Sequence, residues 1–126
     1  MRSVFSLKVI GSVALLCLSQ VAAWNNGLGL VPPMGWTNSF AYGKNLSDDT
    51  VISTAQFLID SGLRDLGYKY ISLADGWQND ARESNGTLLP NPTRFPKGLA
   101  DLSMRLNKMG FGLGVSSSPG TKTCIT

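Results

Sequence analysis

The feature that most constrains this chain is a repeated change of hydrophobic period between residues 34 and 115. Val51, Ala55, Leu58 and Ile59 recur at helical spacing, with Ile52 and Leu63 flanking the same face. Leu99, Leu102, Leu106 and Met109 do so again downstream. Between these stand short runs, Tyr68-Lys69-Tyr70-Ile71-Ser72-Leu73 being rich in aromatic and β-branched residues. The spacing predicts a strand at 34–38 and a helix over 48–61, with an extension to Leu66 left open. A buried strand at 68–73, a helix over 99–109 and a strand at 111–115 follow. Ser47 is placed to cap the first helix, and Asp48 and Asp49 suit the positive end of its dipole. Gly62 and Gly67 are its candidate terminators, and Gly110 ends the second helix. A long polar loop over 75–96 carries Asn85-Gly86, Pro90 and Pro92, all turn formers.

Strands joined by crossover helices imply a parallel sheet. Two α/β architectures fit the order β-α-β-α-β: the start of a (β/α)8 barrel, and a doubly wound sheet. No G-x-G-x-x-G follows the first strand, which weighs against a dinucleotide fold. Phe111-Gly112-Leu113-Gly114 lies inside a strand and is not that fingerprint. There is no internal repeat and no low-complexity tract.

The first residues read as an address. Arg2 and Lys8 flank a short basic region, an apolar run extends from Val9 to Leu18, and Val21-Ala22-Ala23 offers small residues for a signal peptidase. The apolar core is shorter than the ~20 residues of a membrane-spanning helix. The expectation is cleavage after Ala23, with Ala22 as the near alternative, and a secreted, extracellular product. Residues 24–126 are then the mature chain, in which no stretch is apolar enough to cross a bilayer. Two sequons, Asn45-Leu46-Ser47 and Asn85-Gly86-Thr87, fall in expected loops and are candidate glycosylation sites at Asn45 and Asn85.

Removing the leader takes two of the eleven Lys and Arg residues and leaves nine against eight Asp and Glu. The basic pI is thus partly a property of the leader. No Lys/Arg cluster survives, so nothing in the charge pattern argues for nucleic acid. With no His in the sequence, histidine-activated nucleophiles and imidazole metal sites are excluded within it. No metal or organic cofactor is expected. Cys17 belongs to the leader, which leaves Cys124 without a partner in this sequence.

In a (β/α)8 barrel, active-site groups stand just past the C-terminal ends of the strands. Three such ends are visible: Trp36 to Phe40, Ala74 to Trp77, and Ser116 to Ser118. Aromatic rings that stack on the C–H faces of a pyranose, beside carboxylates and amides that take its hydroxyls, suit sugar binding. Each residue type also has an ordinary structural use. A strand-end Trp packs cores, and an Asp after a strand caps turns.

Several short motifs stand in a fixed order along the chain: Leu28-Gly29-Leu30, Pro32-Pro33-Met34-Gly35-Trp36, Gly62-Leu63, Leu66-Gly67-Tyr68, Tyr70-Ile71 and Asp75-Gly76-Trp77. Arg94-Phe95-Pro96-Lys97-Gly98-Leu99, the Gly110–114 stretch and the 120–124 stretch complete them. Their order and spacing resemble glycoside hydrolase family 27, which holds α-galactosidases and α-N-acetylgalactosaminidases. The resemblance covers essentially all of residues 24–126. It implies the N-terminal β-α-β-α-β portion of a (β/α)8 catalytic barrel, incomplete in this chain. It also implies hydrolysis of terminal α-linked galactose with retention, by a nucleophilic and an acid/base carboxylate. The family's nucleophile follows a fourth strand and its acid/base comes later, so no catalytic residue is expected among these 126. Asp75, Trp36 and Trp77 are the expected substrate contacts, and an α-galactoside the expected ligand.

The chain departs from the family at recognisable positions. Ala74 stands where a second hydroxyl-binding Asp is usual, and Ser39 aligns with a stacking aromatic, for which Phe40 substitutes only with a local shift. Ser116 and Ser118 align with a Tyr and an Asp. Lys44 and Gly76 occupy the positions of a family disulfide. Cys124 matches a cysteine whose usual partner lies beside the nucleophile. Two functional readings follow: a portion of a secreted glycosidase, and a short non-catalytic secreted protein with a remnant sugar site.

Overall fold

The computed structural model describes residues 26–43, 45–119 and 123. The proposed leader and both cysteines lie outside these residues. The chain divides into two compact units, Met1–Val31 and Pro32–Thr126. In the first, the described residues 26–31 form neither helix nor strand, and Gly27 and Gly29 take positive φ.

The second unit contains β1 (Gly35–Thr37), α1 (Asp48–Asp60), β2 (Tyr70–Leu73), α2 (Gly98–Lys108) and β3 (Gly112–Val115). The strands are parallel and lie in the order β1-β2-β3, so each helix is a crossover between neighbours. No reversal of strand order, the mark of a doubly wound sheet, occurs among the described strands. Trp36 pairs with Ile71 and Ile71 with Leu113. That row packs against α1 and α2 through Val51, Ala55, Leu58, Leu102 and Leu106, with Phe95 and Phe111 in the same core.

The helix periodicities are realised as the sequence implies. Val51, Ala55 and Leu58 are buried on α1, and Leu102 and Leu106 on α2. Ser47 caps α1 reciprocally with Thr50: the Thr50 N–H donates to Ser47 Oγ, and the Ser47 N–H donates to Thr50 Oγ1. The helix stops at Asp60 rather than at Leu66. Gly62 follows at φ +76°, where an L side chain would be strained, and its N–H turns back to Ile59 O. Asp48 and Arg105 form an ion pair that ties the start of α1 to α2, and Arg105 Nε lies 2.9 Å from Asp101 Oδ2 one turn earlier.

The second strand is shorter and less buried than 68–73 implies. Only 70–73 pair, and burial alternates: Ile71 and Leu73 are inaccessible while Tyr70 is 53% exposed. The physical reason is the pleat. Successive side chains point to opposite faces, and the described helices cover only one of them. Lys69 takes part through its backbone, its N–H donating to Met34 O.

Candidate functional site

Because β1, β2 and β3 are parallel and adjacent, their C-terminal ends emerge along one edge of the sheet. The ladder closes with the pairs Thr37–Ser72, Ser72–Gly114 and Leu73–Val115, and the Ser116 N–H adds a bond to Leu73 O at 2.8 Å. The chain that follows each strand therefore starts from a fixed height, and the three loops are stitched together by side chains.

The loop after β1 is wound around one residue. Asn38 is completely buried, and its carbonyl oxygen accepts from the N–H groups of Ala41, Tyr42 and Gly43. Its side-chain Nδ2 donates to Gly43 O at 3.1 Å, and its Oδ1 accepts from the Ala74 N–H at 2.7 Å. The turn sets the ring of Tyr42 edge-on to Trp36, with centroids 5.9 Å apart. Trp36 is half-buried and lies on the helix side of the sheet. With Ala41, Tyr42, Ser53, Thr54 and Phe57 it lines an open cleft of about 330 Å³. Ser39 is exposed, its hydroxyl 3.4 Å from Thr37 Oγ1, and Phe40 projects fully into solvent.

The loop after β2 carries Asp75. Its Oδ2 accepts from Ser118 Oγ at 3.2 Å, whereas its Oδ1 is buried and has no hydrogen-bond partner among the described residues. Buried carboxylate oxygens are ordinarily satisfied, so an acceptor left open beside a strand end makes Asp75 a candidate ligand contact. The next residue, Gly76, sits at φ +105°, and its N–H donates to Gln78 Oε1. Trp77 is only 8% exposed and its indole N–H donates to Ser116 O at 2.9 Å. Gln78, also buried, donates from Nε2 to Ser117 Oγ, while its backbone carbonyl accepts from Arg94. The loops after β2 and β3 are thus joined at three points: Asp75–Ser118, Trp77–Ser116 and Gln78–Ser117.

The structure brings Asp75 and Trp77 together with Ser116 to Ser118, and groups Trp36 with Tyr42 on the α1 side of the same sheet edge. Asn45 and Asn85 are both exposed, and Asn85 Oδ1 accepts from the Thr87 N–H in a local turn. Cys124 lies outside the described residues, as does Lys44. Asn38 falls within the expected strand-end group Trp36 to Phe40 without an individual role, and Gln78 lies outside the expected groups. The available signal was an amide side chain within the first residues after a strand, where a buried loop must satisfy backbone groups that the sheet no longer pairs.

A family model described as alpha galactosidase A (Melibiase_2) matches residues 32–126. Over 99 residues the chain is 42% identical to the alpha-galactosidase of Coffea arabica, covering 79% of this chain and 26% of that protein. Alpha-galactosidase I from Mortierella vinacea superposes with a TM-score of 0.75 at 42% identity, over 80% of this chain and 25% of that one. The alpha-galactosidase of Saccharomyces cerevisiae, solved with raffinose, gives 0.74 at 40% identity over 79% of this chain and 22% of that one. The chain spans between 21% and 32% of the length of eight curated relatives it matches. Its three parallel strands and two crossover helices correspond to the N-terminal part of their (β/α)8 barrel. On a family match over three-quarters of its length, the chain belongs to the alpha-galactosidase family.

Proposed function

We propose that this chain supplies the N-terminal, sugar-recognising wall of a secreted glycosidase that releases terminal α-linked galactose from oligo- or polysaccharides with retention. The observation that carries the reading is the Asp75 carboxylate, held at a strand end by Ser118 with one buried oxygen unpaired among the described residues. A galactose hydroxyl donating to that oxygen satisfies it. Trp36, backed by Tyr42, and the small exposed part of Trp77 are the proposed aromatic contacts. Trp77 has a second duty here, since its indole N–H fixes the loop that bears Ser118. The two reacting carboxylates of a retaining mechanism are assigned to parts of the polypeptide outside these residues. The N-terminal leader and the exposed sequons at Asn45 and Asn85 support export, with Cys124 paired outside this chain.

A non-catalytic, sugar-binding product is the competing reading. It is favoured by the short side chains of Ala74, Ser39, Ser116 and Ser118, which remove several sugar contacts that the family resemblance implies. One assay separates the two. Protein expressed from the complete reading frame is given 4-nitrophenyl α-D-galactopyranoside, with the α-glucoside as control. Selective galactoside hydrolysis supports the glycosidase. Absence of turnover by correctly folded protein refutes it. A charge-assisted hydrogen bond to a carboxylate contributes ~1.5–3 kcal/mol. Asp75→Ala is therefore expected to lower kcat/KM by about 10- to 150-fold, and an unchanged value would remove Asp75 from the site.

A further inference from the structure

We infer that Asn38 is a positioning residue that locks the loop after β1 and the Asp75 segment into one register, so that the aromatic group around Trp36 and the Asp75 carboxylate hold a fixed separation. Its consequence for turnover rests on the glycosidase reading above. The coupling itself rests on hydrogen bonding alone.

Both ends of a fully buried amide are committed, and to opposite loops. The partners fix which end is which, because the Ala74 N–H can only donate and Gly43 O can only accept. The bond to Ala74 joins residues 36 positions apart and lies just beyond the last backbone pair of β1 and β2, Thr37–Ser72. It acts as one more rung of the ladder, supplied by a side chain. On one side of that rung is Ala74, directly bonded to Asp75. On the other is a turn whose three N–H groups close on the Asn38 carbonyl and whose Tyr42 ring braces Trp36. Asn38 itself touches neither the Trp36 ring nor the Asp75 carboxylate through the bonds it makes, so its influence on a bound sugar passes through both.

The near-isosteric variant Asn38→Asp separates this role from mere packing. It keeps an acceptor for Ala74 but turns the donor facing Gly43 O into a second oxygen. When protonated, that carboxyl donates to Gly43 O as the amide does. When ionised, it opposes the carbonyl. Burial disfavours the ionised form and raises the variant carboxyl above the ordinary aspartate value of ~3.9. The native arrangement is then present at low pH and lost as pH rises through the variant's raised pKa.

The experiment compares wild type and Asn38→Asp, expressed from the complete reading frame, between about pH 4.5 and 7. Two readouts are taken: intrinsic-rate-corrected amide hydrogen exchange in peptides covering 39–43 and 72–76, and hydrolysis of 4-nitrophenyl α-D-galactopyranoside. In the variant, both peptides are expected to lose protection together as pH rises. KM should rise at least about tenfold with the same midpoint while kcat stays within about twofold, since the residue positions contacts and does not react. Loss of protection in only one segment, or a variant-to-wild-type ratio of kcat/KM that is flat with pH, overturns the inference. Should wild type hydrolyse nothing, the glycosidase reading fails and the exchange pair alone decides the coupling. Should Asn38→Asp not fold, Asn38→Ser is the second test. Its hydroxyl is too short to span both partners, so joint loss of protection with raised KM is expected, and wild-type behaviour overturns the proposal.

Discussion

Gly35 is a position where a single added methyl group has no room. A Cβ built there lies 2.4 Å from the carbonyl oxygen of Tyr70 and 2.8 Å from its Cβ. Both are on the neighbouring strand, and the nearer is backbone, so no side-chain rotation relieves the clash. To reach even 3.0 Å, β1 must retreat 0.6 Å from β2. The adjoining bonds from the Lys69 and Tyr70 N–H groups to Met34 O are already 3.1 and 3.3 Å long. The same displacement carries the longer one out of hydrogen-bond range. Overpacking costs about 1–3 kcal/mol and each weakened backbone bond about 1. Gly35→Ala is therefore expected to destabilise the protein by about 2–4 kcal/mol, or a fall in Tm of about 4–16 °C at 2–4 °C per kcal/mol. Thermal unfolding followed by circular dichroism, on protein from the complete reading frame, measures it. Gly114→Ala is the comparison, because the nearest atom to its added methyl is Ser72 Oγ at an ordinary 3.5 Å. A Gly35→Ala protein that melts within about 1 °C of wild type would refute the argument.

Ser47→Ala removes the hydroxyl that accepts from the Thr50 N–H and is expected to cost about 1 kcal/mol, read as a lower denaturant midpoint with an unchanged m-value. Arg105→Ala leaves the nearly buried Asp48 carboxylate without its cation; with the arginine side chain 36% exposed, the expected loss is about 1–2 kcal/mol, and Arg105→Lys should restore part of it. Residues 24–126 alone are expected to aggregate or remain partly unfolded. The outer edges of β1 and β3 are unpaired among the described strands, and Phe40, Phe57, Tyr70 and Val115 stand exposed. A sharp cooperative melt of that segment as a monomer would overturn this expectation.

Most of the fold was legible because helix period and strand composition alternate cleanly. The apolar positions of both helices, the Ser47 cap and the glycine stops at Gly62 and Gly110 are each local signals with a local cause. What was not legible depends on neighbours distant in sequence. Nothing in Tyr68-Lys69-Tyr70 says that pairing begins at Tyr70, since that is set by where Met34 O lies across the sheet. Likewise, Trp77 is recognisable as a strand-end aromatic, but its near-complete burial follows from Ser116, 39 positions away. Asp75 could be singled out from sequence as a carboxylate after a strand. The unpaired state of its Oδ1 could not, because that depends on which oxygen Ser118 engages.

Polar residues at the strand ends fall into two kinds that composition alone does not distinguish. Asn38 and Gln78 are buried, each with one side-chain hydrogen bond inside its own loop and one to another, whereas Asp75 has one buried oxygen without a partner among the described residues. An amide suits the first use because it presents a donor and an acceptor at once and carries no charge to desolvate. A carboxylate suits the second because it can only accept, so a ligand that brings hydroxyl donors answers it, while the surrounding amides are already satisfied. The division holds the loops rigid through neutral groups and, on the proposed reading, leaves the Asp75 carboxylate for a sugar hydroxyl. It also explains how this edge keeps a defined shape with Gly76 and short serines at positions where bulkier or cross-linked residues would otherwise supply rigidity.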